Sequence, residues 1–310
     1  MNNIEPCNQI QLFGLNNYFN EFVQLNKNGN LPNKILLSGQ KGIGKSTLAY
    51  HLINYILSKD ENFKYDLSEF KINNANHTYK TIINKSNPNF YLIDIIAEKK
   101  YIDINQIRVL ISNLNKSSFN QKPRFVLIDN IELLNINSIN ALLKILEEPT
   151  SNVHFMLINN NKKTLPTLTS RCINFKITIS HQKSHEIADK LLDGKLYKKI
   201  NKDLMNYYIT PGNIYNLVKF ADMNNYDLTK LDLKDFLKII IKDNHYNKEN
   251  IFKNLIVEFI QFYFRKFDLA SLPNTHDKYY YFMKKIFITK KFNLDEESLF
   301  MEFEKDILNG

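Results

Sequence analysis

Apolar residues follow two alternating patterns over about the first 178 residues of the chain. One pattern consists of short runs that are apolar at successive positions, as expected of strands buried on both faces of a parallel sheet. The other pattern repeats every three or four residues and favours helices. Strands that alternate with helices predict an α/β layer. The predicted strands are Lys34–Leu37, Phe90–Asp94, Arg124–Asp129 and His154–Ile158.

Helices are predicted beside these strands and throughout the rest of the chain. Ser46–Leu57 and Asn137–Glu148 carry their apolar residues at helical spacing, and Pro149 is expected to end the second helix. Beyond about residue 178 the strand patterns disappear and only helices are predicted. These later helices are Phe236–Lys242, Ile251–Phe267 and Leu294–Leu308.

The change of pattern also predicts where domains meet. The clearer boundary falls at 177–183 and a weaker one at 224–231, so an α/β domain is followed by helical material. The last predicted helix is expected to place four apolar residues near one face, namely Leu294, Leu299, Phe300 and Phe303.

Charge permits a polyanionic partner but does not establish one. The 310 residues include 41 basic and 32 acidic side chains, for a net charge of +9. Only four of the basic residues are arginine, and lysine, asparagine and isoleucine are abundant throughout, which is typical of an AT-rich genome. The excess of lysine is therefore explained equally well by solubility and by nucleic-acid binding.

Other features of composition exclude several classes of protein. Two cysteines, Cys7 and Cys172, cannot form a disulfide framework or a four-cysteine zinc site, so no zinc is expected. No apolar run approaches the roughly 18 residues needed to span a bilayer, and the first residues lack a secretory signal pattern. We therefore expect a cytoplasmic protein with no membrane partner.

A phosphate-binding loop is predicted between the first strand, Lys34–Leu37, and the helix that follows it, Ser46–Leu57. Residues 39–46 read Gly-Gln-Lys-Gly-Ile-Gly-Lys-Ser and fit the pattern G-x-x-x-x-G-K-[ST]. Glycine lets the backbone curl so that its N–H groups face a phosphate, and the following helix N-terminus adds partial positive charge. Lys45 would neutralise phosphate oxygens and Ser46 would bind Mg²⁺. The candidate nucleotide-binding residues in this segment are Gly39, Gly42, Gly44, Lys45, Ser46 and Thr47.

A second element of a nucleotide site is an acid at the end of a buried strand. Asp129 ends the run that begins at Arg124 and is the expected Mg²⁺ partner of Ser46. In AAA+ ATPases the next residue is usually a glutamate that polarises the attacking water, but here it is Asn130. An amide cannot accept a proton, and general-base assistance is worth roughly 10²–10⁴-fold. Glu132 is either a substitute base or a solvated side chain.

Two further segments resemble one family. Asn140-Ala-Leu-Leu-Lys-Ile-Leu-Glu-Glu-Pro149 resembles the helix after the acidic strand in clamp-loader ATPases, and Thr164-Leu-Pro-Thr-Leu-Thr-Ser-Arg-Cys172 is similar to the Ser-Arg-Cys segment of that family. The chain therefore resembles the AAA+ subunits of the bacterial DNA polymerase III clamp loader, strongly over about residues 9–178 and weakly beyond.

The resemblance implies a three-part organisation. It implies a RecA-like AAA+ P-loop domain with a parallel sheet over 1–178, a helical lid over 179–228, and an all-α collar for oligomerisation over 229–310.

Several departures make the delta-prime branch of the family a better match than the ATP-hydrolysing gamma/tau branch. Asn130 stands where the motor branch has a glutamate. The segment Pro211-Gly-Asn-Ile-Tyr215 resembles a motor motif that ends in a sensor arginine, but here the last residue is Tyr215. The stretch 59–86 replaces the zinc module of many relatives, and the chain ends after one collar domain.

Arg171 carries the sharpest expectation that the resemblance implies. In this family the Ser-Arg-Cys arginine reaches the γ-phosphate of ATP bound by a neighbouring subunit. Such an arginine, called an arginine finger, raises the rate of hydrolysis roughly 10³–10⁵-fold. A surface ion pair is the alternative role. Asn159 or Asn160 stands where the family has its first sensor, although either residue could instead cap a loop.

The resemblance implies a stator, a subunit that supports the cycle without driving it. It would help to load the β sliding clamp onto primer-template DNA with gamma/tau and delta subunits as partners. ATP and Mg²⁺ are possible cofactors, with weak or absent ATPase activity of its own. The alternatives are a gamma/tau-like motor subunit and a DNA-binding module unrelated to clamp loading.

Overall fold

The computed structural model describes residues 5–96, 99–117, 119–147, 152–205, 208–248, 252–266, 275–292 and 294–309. The chain divides into two compact units. The first unit comprises residues 1–187 together with 210–212, and the second comprises 188–209 and 213–310. Among the described helices, none combines the length and the apolar content needed to cross a membrane.

A five-stranded sheet forms the centre of the first unit. The strands lie in the order β2-β3-β4-β1-β5, and every neighbouring pair is parallel. This order brings the carboxyl ends of β1, β3 and β4 together at one edge of the sheet. The strands are β1 (Lys34–Ser38), β2 (Phe90–Ile93), β3 (Arg124–Ile128), β4 (Val153–Asn159) and β5 (Ile173–Lys176).

Helices cover both faces of this sheet. One hydrophobic cluster includes residues of α1 and α2, and a second includes residues of α4 and α5. Side-chain caps begin two of the helices: Asn76 accepts from the N–H of Tyr79, and Asp103 accepts from the N–H of Asn105. The helices of this part are α1 (Asn16–Lys27), α2 (Lys45–Leu57), α3 (His77–Ile83), α4 (Ile104–Leu114), α5 (Ile136–Glu147), α6 (Pro166–Thr169) and α7 (His181–Leu191, whose last four residues belong to the second unit).

All four predicted strands form, but the sheet differs from the prediction at both edges. The prediction that Phe90–Asp94 is buried on both faces is wrong, because β2 is an edge strand and Leu92 is 38% exposed. The opposite edge strand, β5, was not predicted. Three of its four residues are exposed, so it lacks the continuous apolar pattern of a buried strand.

Among its described residues, the second unit contains helices and connecting turns but no strand. The predicted helices over 236–242 and 251–267 correspond to α10 and α12, with Ile251 and Phe267 outside the described residues. Its helices are α8 (Lys202–Met205), α9 (Pro211–Met223, whose first two residues belong to the first unit), α10 (Leu233–Lys242), α11 (His245–Lys248), α12 (Phe252–Lys266), α13 (Thr275–Phe292) and α14 (Glu296–Phe303), which continues as a π-helical turn over Glu304–Leu308.

One hydrophobic cluster runs through this unit from Ala188 to Leu308. The predicted lid and collar regions therefore share a continuous core, and their separation as domains stays a prediction. Leu299, Phe300 and Phe303 lie in this core, as expected of one helix face. The prediction is wrong for Leu294, which is 53% exposed because the helix begins only after the cap residue Asp295.

Candidate functional site

The glycine-rich segment 39–46 forms a loop between β1 and α2, as the sequence pattern predicts. Gly42 and Gly44 adopt φ angles of 86° and 93°, in the left-handed region that favours glycine. At Gly39 the restriction is steric, because an added Cβ would lie 2.4 Å from the carbonyl oxygen of Ile177. Any side chain at Gly39 would therefore force the backbone of the loop away from its neighbour.

Lys45 is held inside this loop. Its Nζ donates to the carbonyl oxygens of Gly39 and Gln40 at 2.8 and 2.7 Å, and to Oδ1 of Asn160 at 2.9 Å. The residue is only 3% exposed, and this burial lowers the pKa of Lys45 to about 8. The carboxylates of Asp129 and Glu132 oppose that shift, since they favour the charged ammonium.

Ser46 and Asp129 meet at the carboxyl edge of the sheet. The Ser46 hydroxyl donates to Oδ2 of Asp129 at 2.6 Å. Burial is the main cause that raises the pKa of Asp129, and repulsion from Asp94 adds to it, while the Ser46 hydrogen bond opposes it. The sequence pattern predicted both residues of this pair.

Asp94 is a residue of this site that sequence reasoning did not single out. It follows β2 directly, just as Asp129 follows β3, and the paired residues Ile93 and Ile128 place the two acids side by side. A run that ends in an acid, beside another such run in a parallel sheet, was the available signal. The pairing of the strands was not predictable from the separate runs.

Asn130 is tied into the same cluster. Its backbone is left-handed, with φ 55° and ψ 50°, and its Nδ2 donates to Oδ1 of Asp94 at 2.9 Å. Its own Oδ1 accepts from Nδ2 of Asn160 at 2.9 Å. Both ends of the Asn130 amide are therefore engaged by neighbouring side chains.

Glu132 is not simply solvated, which was one of its two expected roles. Its carboxylate accepts from Nδ2 of Asn160 at 2.9 Å and from the N–H of Asn160 at 3.4 Å. It is half-buried and contributes to the charge around Lys45. Its position orients Asn160, which in turn contacts Lys45.

The two sensor candidates differ in what they contact. Asn160 joins Lys45, Asn130 and Glu132. Asn159 exchanges hydrogen bonds with the backbone of Lys162, each at 3.0 Å, and so closes a turn. Asn160 therefore contacts the phosphate loop through Lys45, whereas the side-chain contacts of Asn159 cap a turn.

Arg171 lies between α6 and β5, and its hydrogen bonds are made away from the phosphate loop. Its guanidinium donates through Nη1 to the carbonyl oxygen of Thr167 at 2.7 Å and pairs through Nη2 with the Glu147 carboxylate. The Arg171 side chain is 32% exposed. The structure does not bring Arg171 into contact with Lys45, Ser46 or Asp129.

The structure also shows where Tyr215 and the stretch 59–86 lie. Tyr215 lies on α9 within the second unit and is half-buried there. The stretch 59–86 packs Tyr65, Ile72 and Ile82 into the core of the first unit. Within the described residues, no group of three or more His, Cys, Asp and Glu side chains is arranged to hold a metal ion.

The chemistry of the site suits a magnesium nucleotide. The loop offers backbone curvature that only glycine allows, a buried ammonium, and a helix N-terminus. Ser46 and Asp129 supply a hydroxyl and a carboxylate within hydrogen-bonding distance of one another. Mg²⁺ in such sites is held by one or two protein ligands and by substrate phosphates, so these two residues are an adequate protein contribution.

The parallel sheet, the glycine loop after β1 and the acid after β3 define a P-loop nucleotide-binding fold of the AAA+ class. The sequence model of the family described as DNA polymerase III, delta subunit, matches residues 14–181. Since this match covers more than half of the 310 residues, the chain belongs to that family. The predicted relationship to bacterial clamp-loader AAA+ subunits is confirmed.

Individual relatives carry two subunit names. DNA polymerase III subunit gamma of Buchnera aphidicola subsp. Schizaphis graminum is 30% identical over 153 residues, which are 49% of this chain and 39% of that protein. DNA polymerase III subunit delta′ of the same organism is 29% identical over 171 residues, 53% of this chain and 48% of that protein. The chain thus spans less than half the length of these curated relatives.

A solved structure shares the fold. The crystal structure of a DNA polymerase III gamma subunit-related protein from Thermotoga maritima aligns with 91% of this chain and 96% of its own, with a TM-score of 0.53 and 15% identity. The likeness confirms the predicted AAA+ architecture, in which a parallel-sheet domain precedes a helical region.

Proposed function

We propose that this chain is a delta-prime subunit of the DNA polymerase III clamp loader, where it supplies Arg171 to the ATP site of a neighbouring subunit. The observation that carries this proposal is the position of Arg171. Its guanidinium is partly exposed and held by residues outside the chain's own phosphate loop. An arginine presented in this way is available to a phosphate that another subunit holds.

The chain's own site supports binding better than hydrolysis. Lys45 and the loop N–H groups would hold the phosphates, and Ser46 with Asp129 would hold Mg²⁺, which neutralises phosphate charge. Asn130 occupies the position of the usual base, and its amide is bonded to Asp94 and Asn160. We therefore expect nucleotide binding with little turnover.

The proposed clamp-loader function implies which proteins this chain binds. Gamma/tau and delta subunits would assemble with this chain, and the complex would open the β sliding clamp and place it on primer-template DNA. The net charge of +9 is compatible with a location near a polyanion in that assembly.

A gamma/tau-like motor is the second candidate, and one observation favours it. The phosphate loop is intact, and the carboxylates of Asp94 and Glu132 lie in the cluster around Asn130 and Asn160. Steady-state ATP turnover by the purified chain separates the two candidates. Turnover at about 1 s⁻¹ or faster, the typical range for enzymes in general, would favour the motor and remove the stator proposal.

The decisive experiment is reconstitution with gamma/tau, delta, the clamp and primed DNA. Arg171→Ala should abolish hydrolysis at the neighbouring site, since an arginine finger is worth roughly 10³–10⁵ in rate, while the complex still assembles. Arg108→Ala is the matched control, because Arg108 is an exposed arginine on α4. DNA-stimulated ATPase that is unchanged in Arg171→Ala would contradict the proposal.

The third possibility, a DNA-binding module, is tested with the isolated chain. Its affinity for DNA would fall with salt along a log–log slope that implies several phosphate contacts. We expect a shallow slope, because the charge excess consists of lysines scattered throughout the sequence.

A further inference from the structure

An ion pair links the two segments that carry the family resemblance. Glu147 is the last residue of α5, and Arg171 follows α6. The Arg171 guanidinium pairs with the Glu147 carboxylate through Nη2 and donates through Nη1 to the carbonyl oxygen of Thr167. The two terminal nitrogens are thus held by two different elements of the fold.

Two such contacts define the plane of the guanidinium. Its atoms are coplanar, so holding both Nη1 and Nη2 leaves little freedom to rotate about the last bonds of the side chain. Arginine has five N–H donors. The two contacts use two of them. The other three donors remain for an incoming phosphate.

The exposure of the pair argues against a role in stability. Arg171 and Glu147 are 32% and 51% exposed, and exposed pairs contribute little to folding because water and salt screen them. Orientation is a different matter, since small errors in the position of a catalytic group are costly in rate.

We propose that Glu147 is a positioning residue that orients Arg171 toward the γ-phosphate of ATP on a neighbouring subunit. This inference rests on the proposed function and names a second residue for it. Glu147 does not touch the phosphate. It holds Nη2 from the side of α5, while Thr167 holds Nη1 from the side of α6.

The test uses the reconstituted clamp loader with primed DNA and measures kcat and KM for DNA-stimulated ATP hydrolysis. Glu147→Gln keeps the shape and loses the charge, and Glu147→Ala removes both. We expect kcat to fall about two- to fivefold in Glu147→Gln, the range that an exposed ion pair supports, and further in Glu147→Ala. The KM for ATP should not change, because the neighbour binds the nucleotide.

Two controls separate positioning from general damage. Glu186→Gln removes the carboxylate of another exposed ion pair, with Lys183, and should leave kcat unchanged. The double variant Glu147→Ala/Arg171→Ala should match Arg171→Ala alone, since Glu147 is expected to act only through the arginine. The urea midpoint of the isolated Glu147→Gln chain should equal that of wild type.

The outcomes are distinct. If Arg171→Ala abolishes hydrolysis while kcat in both Glu147 variants equals wild type, the proposed function stands and this inference is wrong. A kcat above wild type in Glu147→Gln also overturns it, because the ion pair would then restrain the arginine. If Arg171→Ala has no effect, the proposed function itself fails.

Discussion

Introducing a glutamate at position 130 should destabilise this protein rather than activate its ATP hydrolysis. The substitution Asn130→Glu would place an acid where motor subunits have their base. In this fold, however, Asn130 has a left-handed backbone and donates from its amide to Asp94. Neither feature suits a glutamate, because its ionised side chain has no hydrogen-bond donor and its backbone seldom adopts positive φ.

The magnitude follows from these two losses. A hydrogen bond to a charged group contributes about 1.5–3 kcal/mol. The left-handed backbone costs a residue other than glycine, asparagine or aspartate about 1–2 kcal/mol. Together they predict a loss of about 3 kcal/mol or more. Repulsion from Asp94 and Asp129 adds to it, since burial and Asp94 already raise the pKa of Asp129.

Amide hydrogen exchange is the suitable assay, because it reports separately on the two units of the chain. A loss of about 3 kcal/mol corresponds to exchange about 10²-fold faster in peptides from β2 and β3. Asn130→Asp, which tolerates the same backbone, should be affected less, and Asp94→Asn combined with Asn130→Glu should recover part of the loss. Wild-type exchange rates in Asn130→Glu, or a gain in ATP turnover, would refute the reasoning.

Two further predictions concern the stability of the first unit. Gly39→Ala should cost about 2 kcal/mol or more, because its Cβ meets the Ile177 carbonyl oxygen, whereas Gly29→Ala has open space and should cost only about 1 kcal/mol for its φ of +70°; equal melting temperatures would contradict this. Burial lowers the pKa of His51 to about 4, so its contribution is present above pH 6.5 and is lost as the pH falls toward 4. That loss is about 3 kcal/mol by urea unfolding, and His51→Leu should flatten the pH dependence between these values; an unchanged slope would show that His51 is not its source.

The local parts of the site were predictable from the sequence, whereas most contacts across strands were not. The loop over 39–46 and the following helix depend on neighbours within a few residues. Ser46 and Asp129 are 83 residues apart, and their pairing was predictable only because P-loop proteins place an acid at the end of a second buried strand to hold Mg²⁺. Asp94 joins the site only because β2 pairs with β3, and nothing in the run Phe90–Asp94 names its partner.

Arginine scarcity illustrates a second limit of sequence reasoning. In a chain with four arginines, the rarity of the residue makes Arg171 conspicuous. Arg124 is equally rare, yet it is 7% exposed and donates to the carbonyl oxygens of Leu114 and Lys116. Rarity alone therefore does not assign a role to an arginine, because Arg124 is rare and serves the fold.

The engagement of Lys45 has a consequence for how a ligand would be sensed. An ammonium has three donors, and in Lys45 all three are taken by Gly39, Gln40 and Asn160. A phosphate oxygen must displace one acceptor, and only Asn160 contributes a side chain that can swing aside. Such a movement would be transmitted to Asn130 and Glu132, which share the Asn160 amide. Binding of a triphosphate would thus first rearrange the side-chain amides of Asn160 and Asn130.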